Sequence, residues 1–527
     1  MPEASGDVSW SSLPNKGQLF IIVLARFSEP VVRTSISLQS LDPSRPTDAI
    51  VRDAAMLQTV FTLAQGCTAV LWGHLADSSR GGRKMVLLIS LGGSCTTAFG
   101  FVRDFRQAII LRLLEGAVNG NTAMIRTMVS EVVKERRYQA KAFVLMPLAY
   151  NVAAIVSPMV AGLLADLASQ YPQSFGQISF FRQFPYAPPA IASALVTLTA
   201  FLLVFFKLKE VRIPFDNTLL APRTLIDGRD ISARIKSLFT RWRKDSHNQP
   251  YSVVAQEEAN EERDQFLSQE EEMEMNSPSQ DHKVEKQKLP LRQMFTRNLC
   301  LTLIAHGIME GHVAVYNTLW PSFLSDPVAD PEKDQIQLPF RFIGGLGLPA
   351  KKIAISLAYA GILGIPLQIF GYSRVVKRLG MMRTWRVFLR GFPLVYLFIP
   401  YLSIIPSSSS RPAPRDGPFV WIAIFVAQTL MMCSASFVVP SQIVLTNNSS
   451  PHPSALGRTH SIAEMICSFT RTVSPVAAGL FYSYGSAHGV TGLPWWIMSG
   501  VTLIACVLSY YVYEGDGHEI KLDTDEE

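Results

Sequence analysis

Acids, bases and imidazoles stand at helical spacing inside otherwise apolar stretches at four places in this chain. Arg26 and Arg33 are seven residues apart, two helical turns, so they share a face with Glu29 close by; Pro30 can distort the helix beside that acid. Arg112 precedes Glu115 by three residues. His306 and Glu310 stand at i, i+4, with His312 just beyond and Trp320-Pro321 following. His460, Glu464 and Arg471, spaced by four and seven, form one polar stripe facing a central cavity or its mouth. An arginine at the middle of a spanning helix costs about 2.5–3.5 kcal/mol unless it faces a cavity or a partner. A carboxylate whose proton affinity rises on burial can carry a proton. The chemistry on offer is therefore ion pairing and reversible protonation in a low-dielectric setting. Glu29 reads as a proton carrier or as one member of a satisfied triad that orients its helix. His306 and Glu310 can hold a proton, a cation or a polar substrate. No second ligand cluster accompanies them, so no metal site is expected.

The elements that must position these groups are membrane helices. The chain has 527 residues, 48% of them hydrophobic and 17% charged, with a mean hydropathy of +0.20. Soluble domains carry about 25% charge. A spanning helix needs about 20 mostly apolar residues, and twelve such stretches are read: near 18–38, 53–75, 84–102, 107–130, 140–165 and 186–206, then 298–324, 351–373, 384–405, 418–445, 455–482 and 493–513. This gives an all-α membrane protein of two six-helix bundles, 18–206 and 298–513. A tail (1–17), a linker (207–297) and an acidic tail (514–527) lie outside them. Basic residues collect in the loops after the second, fourth and eighth spans: Arg80, Arg83 and Lys84; Lys134, Arg136, Arg137 and Lys141; Arg374, Lys377, Arg378 and Arg383. The opposite loops balance Arg45 with Asp42 and Asp48, and Arg103 with Asp104. That asymmetry puts both tails and the linker in the cytosol. The sequons at Asn447 and Asn448 then fall on the cytosolic side and are expected to carry no glycan.

The net charge of +6 is accounted for by these helix-end clusters and does not point to nucleic acid. In the linker, Ile231, Ile235, Leu238, Phe239 and Trp242 form one helical face ringed by Arg234, Lys236, Arg241, Arg243 and Lys244, suited to an anionic inner leaflet. An acidic stretch from Glu257 to Glu274 follows and reads as disordered. The six cysteines (Cys67, Cys95, Cys300, Cys433, Cys467 and Cys506) sit in apolar segments without a Cys-x-x-Cys pair, which argues against a disulfide framework. No cleaved secretory signal is evident at the N-terminus.

Two motifs recur. Val-Ser-Pro-x-x-Ala-Gly-Leu occurs at 156–163 and again at 473–480, 317 residues later, bringing Pro158 and Gly162 into correspondence with Pro475 and Gly479. A parallel repeat in a membrane chain is the mark of a two-half transporter. The loop after the second span reads Trp72-Gly73-His74-Leu75-Ala76-Asp77-Ser78-Ser79-Arg80-Gly81-Gly82-Arg83-Lys84, and a degenerate copy starts at Gly371, 298 residues on. The fourth span carries Arg112-x-x-x-Gly116-x-x-x-Gly120, whose glycines give a flat face for close packing.

These strings resemble the signatures of the major facilitator superfamily. The loop resembles Gly-x-x-x-Asp-Arg-x-Gly-Arg-Lys with a stretched middle, so that Arg80 stands for the first arginine. The fourth span resembles the family's Arg-x-x-x-Gly-x-x-x-Gly. The fifth resembles Gly-Pro-x-x-Gly-Gly, with Ser157 and Ala161 in place of two glycines. Further runs (Gly120 to Glu131, Gly344 to Leu348, Asn447 to Pro453) resemble a fungal branch akin to zinc-induced-facilitator-like and drug:proton antiporter proteins. The resemblance implies the major facilitator fold, with Gly73, Asp77, Arg80, Gly82, Arg83 and Lys84 as a conformational latch. It ties Arg112 to proton coupling, unless Glu115 pairs with it. With the residues above, coupling and substrate contacts are expected among Arg26, Glu29, Arg112, Glu115, His306, Glu310 and Glu464. It implies secondary transport of a small organic compound by alternating access, as proton-coupled export, by a monomer without cofactor, in the plasma or vacuolar membrane. An uptake symporter and a non-transporting sensor are the rival readings. The absence of a Walker loop, nucleophile elbow or metal-ligand spacing argues against an ATP-driven pump or an enzyme.

Overall fold

The computed structural model describes residues 10–37, 47–77, 81–93, 101–102, 104–133, 135–209, 289–329, 337–409, 413–517 and 519–520. The amphipathic and acidic linker stretches, Cys95 and Arg80 lie outside the described residues.

Helices occupy each expected stretch. Spans one to six are Lys16–Ser37, Thr47–Asp77, Arg83–Gly93, Phe105–Val118 with Asn121–Val132, Arg136–Leu164 and Ala187–Lys207. The second set comprises Arg297–Ser325, Ala350–Pro366 continued through Ser373–Leu379, Met381–Leu389 with Gly391–Phe398, Pro418–Asn448, Leu456–Ala487 and Leu493–Leu508. Among the described residues, seven helices are long and apolar enough to cross a bilayer. The sixth span shows what they bury. Ala187, Ala190, Ser193, Thr197, Ala200 and Val204, three or four apart, face inward. Leu195, Leu198, Leu202 and Phe206 face outward. Small residues inside and large apolar ones outside suit lipid on one side and tight helix packing on the other.

Two spans are less regular than the sequence suggested. The fourth breaks at Asn119 and Gly120. Gly120 is a poor interior residue, and the Asn119 side chain accepts from the Asn121 N–H at 3.2 Å, competing with the helix. Neighbours satisfy the loosened turn: the Trp72 indole donates to Ala117 O and the Ser90 hydroxyl to Val118 O, each at 2.8 Å. The eighth span passes through a π-helical turn at Leu367–Tyr372 directly after Pro366, which has no N–H to continue the ladder.

Spans one to six pack mainly on one another, as do seven to twelve, and the halves meet where spans two and four lie on span eleven and span five on spans eight and ten. Leu289 and Met294 are buried, so the last residues before Arg297 pack onto the helical body through their apolar side chains.

Candidate functional site

The second span ends at Asp77, and its carboxylate faces the first turn of the eleventh. Oδ2 accepts from the Arg458 backbone N–H at 3.1 Å, the favourable place for an anion at a helix start. It also lies 3.6 Å from Arg458 Nε, while Oδ1 is 3.2 Å from Arg83 Nη2. Arg83 reaches on to Glu131 at 2.9 Å, and Arg458 Nη1 donates to Leu289 O at 3.1 Å. Two glycines permit this approach. A methyl group on Gly73 would stand 2.3 Å from Ser461 Oγ, and one on Gly457 would stand 2.4 Å from Asp77 Oδ1. Gly82 O accepts the Val86 N–H at 3.2 Å at the start of the third span, and Lys84 is buried in that first turn. Asp77 and Gly73 of one half thus meet the eleventh span of the other, on the side of the basic loops. The copy in the second half differs: Gly371 lies against the Phe437 ring, and Arg374 donates within its own helix to Phe370 O at 3.0 Å.

Deeper in, charged side chains form a chain across the two halves. Arg126 of the fourth span is 3.4 Å from Glu464 Oε2, and Glu464 Oε1 takes Arg471 Nη2 at 2.5 Å. Arg471 Nη1 continues to Glu310 Oε2 at 3.1 Å, and Glu310 Oε1 lies 3.9 Å from His306 Nε2. The seventh and eleventh spans thereby present the two predicted stripes to each other. Gly307 and Gly311 allow it, since a methyl on either would come within 2.8 Å of Ile466 or Ser474. His460 stands apart, its Nε2 3.2 Å from Asn447 Oδ1. His312 bonds Tyr396 across an aromatic cluster, at 2.9 Å.

The first half holds a separate group. Arg26 is ion-paired with Glu29, bonds Thr122 at 3.3 Å and lies over the Tyr150 ring. Arg112 is paired with Glu115 at 2.9 Å, the alternative to a free coupling arginine. Glu29, Arg112, Glu115, Asn119 and Asn121 line one small cavity, about 10 Å³ and so roughly the room of one water.

The packing motif resolves unevenly. A methyl on Gly116 would meet Phe61 O at 2.3 Å, and one on Gly120 would meet Val86 and Trp72 at 2.9–3.0 Å. The expectation of close packing at Gly162 and Gly479 is corrected: among the described residues, a methyl on either would meet nothing within 4 Å. Pro158 and Pro475 are both accommodated inside their helices, and the exposed Met159, Leu163, Val476 and Leu480 around them show that these turns face outward from the packed seam. On the side away from the basic loops, Tyr482 donates to Asp326, whose carboxyl is raised to about 6 by burial. Beside Lys352, the exposed Asp416 is held below the usual carboxylate range.

Sequence reasoning passed over Arg126, Arg458 and Glu131. The signal for Arg126 was present, because it is a base in mid-span like Arg112.

The Major Facilitator Superfamily profile matches residues 19–412. The chain belongs to the major facilitator superfamily. It is 28% identical to the major facilitator superfamily multidrug transporter mfsB of Aspergillus fumigatus, over 97% of this chain and 85% of that protein. It is 25% identical to ZINC INDUCED FACILITATOR 1 of Arabidopsis thaliana, over 80% and 74%. The human organic anion transporter MFSD10 (TETRAN) shares the fold, with a TM-score of 0.58 at 14% identity, over 94% of this chain and 99% of that one. This superfamily member is a multi-pass membrane transporter of small molecules, and not an enzyme.

Proposed function

We propose that the chain is a proton-coupled exporter of a small organic compound, working by alternating access with its basic loops and both tails in the cytosol. The observation that carries this reading is Glu29: a shielded carboxylate, paired to Arg26 and hydrogen-bonded by Thr122 at 3.4 Å, on the wall of a polar cavity. Protonation of Glu29 releases Arg26, and in a water-poor site that change of pairing is large enough to bias a conformational equilibrium. The contacts of Asp77 with Arg458 and Arg83 support reading this as the state closed to the cytosol. The chain Arg126–Glu464–Arg471–Glu310 ties the halves together and must part at Arg126 for the cavity to open inward. The likeness to a multidrug transporter supports an organic cargo. The transporter acts as a monomer in the plasma or vacuolar membrane, driven by the proton gradient.

The test is efflux of a panel of dyes and antifungals from cells lacking or overproducing the protein, with and without a protonophore. Protein-dependent export that collapses with the gradient, and Glu29→Gln protein that reaches the membrane but exports no faster with a gradient than without, are the expected results. Export by Glu29→Gln that still follows the gradient overturns the assignment of Glu29, and uptake in place of export overturns the direction.

A further inference from the structure

His306, Glu310 and Cys467 bring an imidazole nitrogen, a carboxylate oxygen and a thiol sulfur within 4.8 Å of one another, between the seventh and eleventh spans. The first two are four residues apart in sequence, while Cys467 comes from the other helix, which is why the sequence shows no ligand cluster. The hydrogen bonds around His306 fix its tautomer. The Thr446 hydroxyl spends its proton on Gln442 O at 2.9 Å, so in its 3.0 Å bond with His306 Nδ1 it accepts. Nδ1 therefore carries the hydrogen, and neutral His306 turns the lone pair of Nε2 towards Glu310 Oε1. Two acceptors face each other across 3.9 Å, too far for a hydrogen bond. A shared cation resolves that opposition.

We propose that these three residues form a binding site for a divalent transition-metal ion of the zinc class. Tetrahedral zinc with bonds of about 2.0–2.3 Å sets its donors about 3.3–3.8 Å apart, so the side chains need to close by at most about 1.5 Å. Glu310 has the freedom to do so, since its side chain is 22% exposed. The outer contacts fit as well: Thr446 orients His306, and Arg471 holds Glu310 Oε2, leaving Oε1 for the ion. Glu464 engages both Arg126 and Arg471 and offsets their repulsion of a cation. On binding, the sulfur–hydrogen bond of Cys467 gives way to a sulfur–metal bond and the proton leaves to water. Three protein ligands leave a fourth position open to water or cargo, the arrangement of a site that exchanges a ligand.

The test uses tag-free full-length protein in detergent, with Co²⁺ as a chromophoric stand-in and Zn²⁺ as competitor, and needs neither a gradient nor a cargo. The expected result is equimolar, saturable binding with a sulfur-to-cobalt absorption band that Zn²⁺ abolishes. The band vanishes in Cys467→Ser and persists in Cys433→Ser. Thr446→Val weakens binding about 10–100-fold, as loss of an outer contact does. Thermal unfolding of each variant confirms that it is folded. No saturable binding to folded wild-type protein, or binding that Cys467→Ser and His306→Ala retain, overturns the site while leaving proton-coupled export standing.

Discussion

Asp77→Asn should shift the conformational equilibrium while leaving the fold intact. The amide has the carboxylate's size, and its oxygen can still accept the Arg458 backbone N–H, at 3.1 Å in the wild type. What it loses is charge, facing Arg83 Nη2 at 3.2 Å and Arg458 Nε at 3.6 Å, in a site where the Asp77 side chain is only 7% exposed. A hydrogen bond to a charged group contributes about 1.5–3 kcal/mol. Arg83 keeps Glu131, so one such contribution is the appropriate measure. Each factor of ten in an equilibrium constant is about 1.4 kcal/mol, so the closed-to-open ratio should fall about 10–100-fold. The assay is a distance distribution between spin labels at Arg137 and Leu379, exposed positions on the basic-loop side of the two halves. The population at the longer distance should grow, and transport should slow at normal expression. A ratio unchanged within about twofold would refute the argument that Asp77 holds the two halves closed.

Gly116→Ala and Gly162→Ala should differ sharply in the detergent-solubilised protein. The first drives a methyl to 2.3 Å from the Phe61 backbone carbonyl and should destabilise by about 1–3 kcal/mol, whereas the second meets nothing within 4 Å and should be neutral or gain up to about 1 kcal/mol of helix propensity; equal melting temperatures would count against the packing described. Asp326 supplies a pH test. Its folded carboxyl is raised to about 6 from an ordinary 3.8, so the penalty of burying the ionised form is full above pH 6 and is relieved progressively as pH falls from 6 towards 3.8. Asp326→Asn, neutral throughout and still able to accept from Tyr482, should therefore melt above wild type at pH 7, by a margin that shrinks below pH 6 and closes only as pH approaches the ordinary 3.8. A gap independent of pH would show that burial does not govern this carboxyl.

The places of the helices were legible because apolar runs of spanning length need only counting. Their interruptions were not, since Asn119 and Gly120 end a helix only where Trp72 and Ser90 stand ready to take the freed carbonyls. The same division runs through the site. Pairs within one helix, Arg26 with Glu29, Arg112 with Glu115 and His306 with Glu310, follow from a spacing of three or four and can be read from sequence. Pairs between helices cannot. Arg471 meets Glu310 across 161 residues and Arg126 meets Glu464 across 338, and only the register of packed spans brings them together.

That division has a mechanical meaning for an alternating-access protein. A bond within one helix survives the rocking of one half on the other, so in the proposed cycle Arg26–Glu29 can change its protonation in either state and serve as the coupling element. A bond between halves, such as Arg126–Glu464 or Asp77–Arg458, exists in one state alone and sets the free-energy difference between states. Arg471 and Glu310 belong to the same half, so they move together when Arg126 parts from Glu464. The acid that Arg126 leaves then remains paired to Arg471 at 2.5 Å, which limits the cost of opening. The pairs within one helix are thus the groups suited to holding a proton, and the pairs between the two halves those suited to sensing conformation.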